Sequence, residues 1–272
     1  MKSKFTCVVA LSLLQAAPLC ASIIAYEPFA YNSGIANGAT ATGTNFSGTW
    51  NIGQGGLTTT PGLDLAGLPT TANSVKASGA TRALESLAAP VTTGTTYLSF
   101  LLQGTGNSGG DTVGFILSGS TGSLFVGYGG GFTQTETLFG VGTIDSGNMW
   151  ANATAFTSFG PISNTALNYL VLETTVGSPG VNLWINPAVA AVASASLGAA
   201  NLVYSSVSLG NITGFGYNAI GGALPILDEV RFGTSFADVA GVPEPSTAAL
   251  VGLGALGFGA LALLRRRRAA RS

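Results

Sequence analysis

Between its two ends, the chain concentrates charge in one place, at Asp228, Glu229 and Arg231. Two carboxylates beside a guanidinium are the groups of glycoside cleavage, where two acids stand about 5 to 9.5 Å apart across a sugar bond. They are also the oxygen donors of a calcium site. On a strand, alternation sends Glu229 and Arg231 to one face and Asp228, with Val230 and Phe232, to the other. Adjacent acids on opposite faces cannot flank one glycosidic bond, so the spacing predicts a structural ion pair and a turn-bonding aspartate, with no catalytic residue.

Trp184 offers a different chemistry. It falls out of phase with the core-like set Val181, Leu183 and Ile185 and shares its face with Asn182 and Asn186. An aromatic ring flanked by amides suits carbohydrate recognition, the ring stacking on a sugar and the amides bonding its hydroxyls. The competing expectation is a ring packed under a loop or against a second sheet. Trp50 and Trp150 lie in Gly/Asn-rich stretches and are equally ambiguous. The turns around Asp145 and Asn148, and around Asn107 and Asp111, present oxygens, but turn chemistry accounts for them and neither has EF-hand spacing. No cofactor is expected; calcium is the one ion these turns leave open. The glycines of 127–131 lack the Lys-Ser/Thr ending of a phosphate loop and read as a hairpin or bulge.

Composition excludes other classes. The 272 residues contain no histidine, and Cys7 and Cys20 both precede the expected signal cleavage point. That removes Ser-His-Asp and Cys-His catalysis, His/Cys metal sites and a disulfide framework from the mature body. From 22 to 242 there are ten acids against three bases (Lys76, Arg82, Arg231), a formal charge of −7. Binding to nucleic acid needs a basic stripe, so none is expected as a partner.

Both ends read as targeting segments. Lys2 and Lys4 precede an apolar stretch and a small-residue exit ending at Ala21, the pattern of a secretory signal peptide over 1–21. Leu19 before Cys20 argues against lipidation, which needs a small residue there. At the other end Val242, Pro243, Glu244 and Pro245 precede an apolar run over 247–264, then Arg265, Arg266, Arg267, Arg268 and Arg271. Eighteen residues at about 1.5 Å each make about 27 Å of helix, close to a bilayer core. The Arg block stays cytoplasmic by the positive-inside rule, which places the acidic body outside.

The elements between must position any site. Short alternating runs recur from 97 onward, with Leu98, Phe100 and Leu102 on one face, and further runs over 112–117, 123–128, 137–143, 168–176, 181–186, 207–217 and 226–236. Gly, Asn, Ser or Pro separates them, the pattern of an all-β, two-sheet antiparallel sandwich over 22–240. Residues 32–81 predict long loops with strands near Trp50 and Val75. Only 187–197, an Ala-rich segment that reads as a helix or a loop, shows helical spacing.

The tail closely resembles the PEP-CTERM sorting signal, whose three parts appear in order over 241–272. The resemblance implies recognition near Val242–Pro245 by an exosortase, after passage through the Sec translocon and signal peptidase, with at least a transient stay in the inner membrane of a Gram-negative-type cell. The retained single-span anchor is the alternative. The segments 25–31, 170–172, 182–187 and 227–239 are similar to exported PEP-CTERM proteins that carry a concanavalin A-like (laminin-G-like) jelly-roll sandwich. That resemblance implies fold rather than activity; the Glu-x-Asp-x-x-Glu strand of the glucanase branch has no match. The expected function is a non-enzymatic surface or extracellular-matrix protein associated with exopolysaccharide. A lectin-like carbohydrate-binding module and a carboxylate-only glycan-active enzyme are the rivals.

Overall fold

The computed structural model describes residues 23–104, 112–129, 138–144, 154–161, 165–189, 197–220 and 224–240. The signal segment, the sorting tail with Val242–Pro245 and its Arg block, Trp150, both Asp/Asn turns and 190–196 lie outside them. Among the described residues no helix is long and apolar enough to cross a membrane.

Among the described residues, fifteen strands form two packed sheets, accompanied by one short helix. The eight-stranded sheet holds β1 (Ile23–Glu27), β3 (Leu57–Pro61), β4 (Asn73–Ala77), β6 (Thr95–Gln103), β11 (Leu167–Thr175), β12 (Val181–Ile185), β13 (Leu202–Tyr204) and β15 (Ile226–Gly233). The seven-stranded sheet holds β2 (Asn51–Gln54), β5 (Thr81–Val91), β7 (Thr112–Gly119), β8 (Ser123–Gly129), β9 (Leu138–Thr143), β10 (Thr154–Pro161) and β14 (Ile212–Ile220). The helix, α1 (Phe236–Val239), follows β15 and starts on a capping box between Ser235 and Asp238. Each described ladder is antiparallel. This is the expected sandwich, and most alternating runs fall on strands. The run over 207–217 is displaced to Ile212–Ile220, and 226–236 ends as a strand at Gly233 before the helix. β5, the longest strand, is not among the runs singled out from the sequence.

The interior shows why the pattern folds this way. Leu98, Phe100 and Leu102 project between the sheets, as do Leu170, Leu172, Val181 and Leu183. Their centre is an aromatic spine: Phe100 of one sheet stacks on Phe115 of the other at 4.3 Å, and Phe115 stacks on Phe215 at 5.7 Å. Trp50, Phe46, Phe29 and Phe232 pack around Phe215 at 5.5 to 6.5 Å. Each such pair adds about 0.5–1.5 kcal/mol beyond the area it buries. Trp50 is thus a core residue, and its indole N–H donates to the Tyr31 hydroxyl at 2.6 Å.

Two carboxylates lie inside this core region. Glu27 accepts from the Phe29 and Gly43 amides and from the Thr42 and Tyr31 hydroxyls, tying the segment 29–43 to the end of β1. Burial pushes its pKa up against those donors. Glu85, in register with core residue Phe215, is 2% exposed and neither of its oxygens has a hydrogen-bond partner. Burial first, then the charge of Glu27, pushes it up to about 7 from an ordinary 4.5.

The sign of the linkage follows. Between pH 4.5 and 7 the folded protein keeps the Glu85 proton that the unfolded chain has released, so stability falls as pH rises through that window and levels off above it. Glu85→Gln should therefore raise the melting temperature at pH 8.5 and leave it nearly unchanged at pH 4.5. Thermal unfolding at the two pH values checks this; an equal effect at both would show that Glu85 ionises freely in the fold.

Candidate functional site

The charged trio of β15 does not alternate as a regular strand would. Asp228 pairs with Leu101 and Arg231 with Ser99, so Glu229 and Val230 together oppose the single residue Phe100. This bulge puts Glu229 at φ 54°. It corrects the expected faces: Leu227, Val230 and Phe232 enter the inter-sheet core, while Asp228 joins Glu229 and Arg231 on the outer side, under the loop between β3 and β4. An extra residue re-aims the strand in this way at any bulge.

The expected ion pair is present, with Arg231 Nη2 at 2.8 Å from Glu229 Oε2. The Tyr26 hydroxyl donates to the same oxygen at 2.6 Å, the Thr71 amide donates to the other, and the Arg231 guanidinium lies over the Tyr26 ring at 5.1 Å. Arg231 also donates to the Pro69 carbonyl. Asp228 accepts from the amides of Leu63 and Glu229, each at 2.9 Å. Burial is the main reason its pKa rises to about 8, with the Leu63 amide opposing and the Glu229 charge adding to the rise. Both carboxylates are fully buried, and one oxygen of each, Asp228 Oδ2 and Glu229 Oε1, holds the 63–71 loop while the other is bonded within β15 or to Tyr26. They have no opening toward a sugar bond.

Trp184 does lie on the outer side of its sheet, as its phase predicted, but it is covered. It packs with Leu63, Leu68, Tyr97, Tyr169 and Phe236 in a second core between the sheet, the loop after β3 and the helix. It is 6% exposed, and its indole N–H donates to the Gly198 carbonyl at 3.2 Å. Asn186, at φ 53°, uses its side chain to accept from the Tyr169 amide and to donate to Asn168. Trp184 therefore seals the sheet and offers no open ring to a sugar, while Asn186, although exposed, has its amide engaged by Tyr169 and Asn168. Asn182 is separate from them: it donates to Glu173 at 3.3 Å and lines a half-open recess of about 210 Å³ with Glu173, Thr175, Ser178, Val203 and Ser205.

The outer side of the seven-stranded sheet holds a feature that sequence reading missed. Register aligns Ser86, Gly214, Ser118 and Ser123 in one row across β5, β14, β7 and β8. The next row is Leu84, Gly216, Ile116 and Phe125. One further row aligns Gly114, Gly127 and Gly140, where a Cβ on Gly127 would collide with the Val113 carbonyl. Gly127 and Gly129 lie within β8, which pairs antiparallel with both β7 and β9, while Gly130 and Gly131 lie outside the described residues. A recess of about 220 Å³ opens at the serine row, lined by Leu84, Ser86, Ser118, Ser123, Thr213 and Gly214, with Glu85 and Gly119 bordering it. No sequence signal links these serines, since only strand register brings them together. Among the described residues no cluster of three or more Asp, Glu, His or Cys could hold a metal.

Two substitutions test these placements. Trp184→Ala should lower stability by about 3–5 kcal/mol, the cost of emptying a buried aromatic site. An unchanged denaturant midpoint would place the ring outside the core. Gly127→Ala should cost about 1–3 kcal/mol through overpacking, read in the same titration; a neutral result would contradict the close approach of β7 and β8.

No protein-family model matches the chain, and no curated protein matches it in sequence. Solved structures with a similar course include domain 4 of AbnA, a GH43 extracellular arabinanase from Geobacillus stearothermophilus, in complex with arabinotriose. It is 13% identical, with a TM-score of 0.47 over 81% of this chain and 98% of that one. A legume lectin-like domain from Entamoeba histolytica is 10% identical, with a TM-score of 0.39 over 67% and 88%. A structure described among endo-acting O-glycanases of human gut microbiota is 10% identical, with a TM-score of 0.43 over 78% and 99%.

Proposed function

We propose that this chain is an exported, non-enzymatic protein of the cell surface or extracellular matrix, sorted by an exosortase and residing in exopolysaccharide. The observation that carries the reading is the tail: Val242, Pro243, Glu244 and Pro245, an 18-residue apolar run and Arg265–Arg268 in that order. The apolar run suits retention of the precursor in the inner membrane, the arginines suit a stop there, and Pro243 and Pro245 favour an extended backbone of the kind a protease groove accepts.

The body supports a non-catalytic role through the use made of its acids. Among the described residues, Glu27, Asp228, Glu229 and Asp238 each accept internal hydrogen bonds, and the recess at the β11–β12 hairpin and the recess at the serine row are each lined by one acidic residue, Glu173 and Glu85. Glycoside hydrolysis needs two acids in one cleft. Carbohydrate binding is the second reading, favoured by the serine-lined recess, and it suits residence in a polysaccharide.

Mass spectrometry of the protein recovered from its native host tests the sorting. The mature species should begin near residue 22 and end at or near 242–245. A species that keeps both its leader and its arginine tail would overturn the reading, and one that has lost only its leader would make the tail a permanent anchor.

A further inference from the structure

We propose that the recess at the serine row of the seven-stranded sheet is a saccharide-binding site, and that its ligand is one residue of a neutral polysaccharide. The inference rests on the matrix reading for the source of the ligand, and on the recess alone for the site.

The decisive observation is a pair of hydroxyls that lack partners. Ser123 is 3% exposed, and the Oγ atoms of both Ser118 and Ser123 are buried without a hydrogen bond. Leaving a buried polar group unsatisfied costs about 1–3 kcal/mol, and folded proteins rarely tolerate it without a ligand or an ordered water. These two are neighbours across β7 and β8 and line the same recess. Ser86 and Thr213 add two more hydroxyls, and Gly214, between Ser86 and Ser118 in the row, leaves the floor clear of a side chain.

The chemistry narrows the ligand. A hydroxyl both donates and accepts, so a row of hydroxyls fits a partner that does the same, which is the property of a sugar ring. Leu84 supplies the apolar wall that commonly accompanies a few placed polar groups in a ligand pocket. No Lys or Arg lines the recess, and the Glu85 side chain, although its residue borders the recess, is directed into the inter-sheet core with Phe215. The surrounding body carries a formal −7. An acidic polysaccharide would meet repulsion without a compensating cation, so a neutral one is selected. At about 220 Å³ the recess is below the range of about 300–1,000 Å³ that takes drug-sized ligands. It accommodates one sugar unit, and weak contacts repeated along a polymer then hold many copies of the protein.

The test uses the full chain in a detergent without a sugar headgroup, passed over cellulose, dextran and agarose as neutral matrices and over alginate as an acidic one. Retention on at least one neutral matrix, competed by its soluble oligosaccharide, is expected. Ser118→Ala with Ser123→Ala should weaken that retention tenfold or more while leaving the melting temperature unchanged or raising it, because each change removes an unsatisfied group. Ser205→Ala, in the other recess, serves as the control and should bind as the parent does. The oligosaccharide should also raise the melting temperature of the parent and not of the double variant, as expected when a ligand binds only the folded state.

Equal retention of parent and double variant would overturn this site while leaving a polysaccharide-resident protein intact. Absence of retention on all neutral matrices, or preference for alginate, would overturn the proposed ligand and leave a water-filled recess only. The sorting reading fails separately, through an intact leader and tail in the mature protein.

Discussion

One residue with left-handed backbone, Glu229 at φ 54°, controls how the outer side of the eight-stranded sheet is closed. Such a conformation costs a non-glycine residue about 1–3 kcal/mol. It persists because the bulge it creates places three ionisable groups of β15 under one loop, where the Leu63 and Thr71 amides, the Pro69 carbonyl and the Tyr26 hydroxyl meet them. The charge-assisted hydrogen bonds of the Glu229–Arg231 pair contribute about 1.5–3 kcal/mol each, enough to offset the strain. With the loop held, Leu63 and Leu68 cover Trp184 and Tyr169, and the second core forms. The carboxylates that looked most like chemistry are thus the anchor of a lid.

The two outer faces consequently differ in kind. One is roofed by a loop and a helix and, among the described residues, has a recess at the β11–β12 hairpin. The other carries rows set by register, with glycines where strands approach and serines where a recess opens. A sandwich can thus spend its charge internally and still offer hydroxyls outward. This suits a chain in which only 8% of residues are charged.

What the sequence revealed tracks the range of the interactions involved. Alternation is local, so the strands around Phe100, Leu172 and Leu183 and their inward faces were legible. The phase of Trp184 was legible too, but its cover comes from Leu63, Leu68 and Phe236, distant in the chain. The faces of Asp228 and Glu229 were misassigned because no glycine or asparagine marks the bulge; its cause is tertiary. β5 was not singled out because Glu85 interrupts its inward set of Ala83 and Leu87 with a carboxyl. The serine row had no signature at all, since Ser86, Ser118 and Ser123 become neighbours only through strands separated in sequence.

Amide hydrogen exchange at Leu63 and Thr71, the donors to Asp228 and Glu229, tests the central claim most directly. If the β15 acids clamp the lid, both amides should be protected to nearly the level of the β15 strand amides, although they lie in a loop. Exchange of both at the rate of an unstructured loop would mean that the carboxylates are free to face solvent, and the structural account of this cluster would fail.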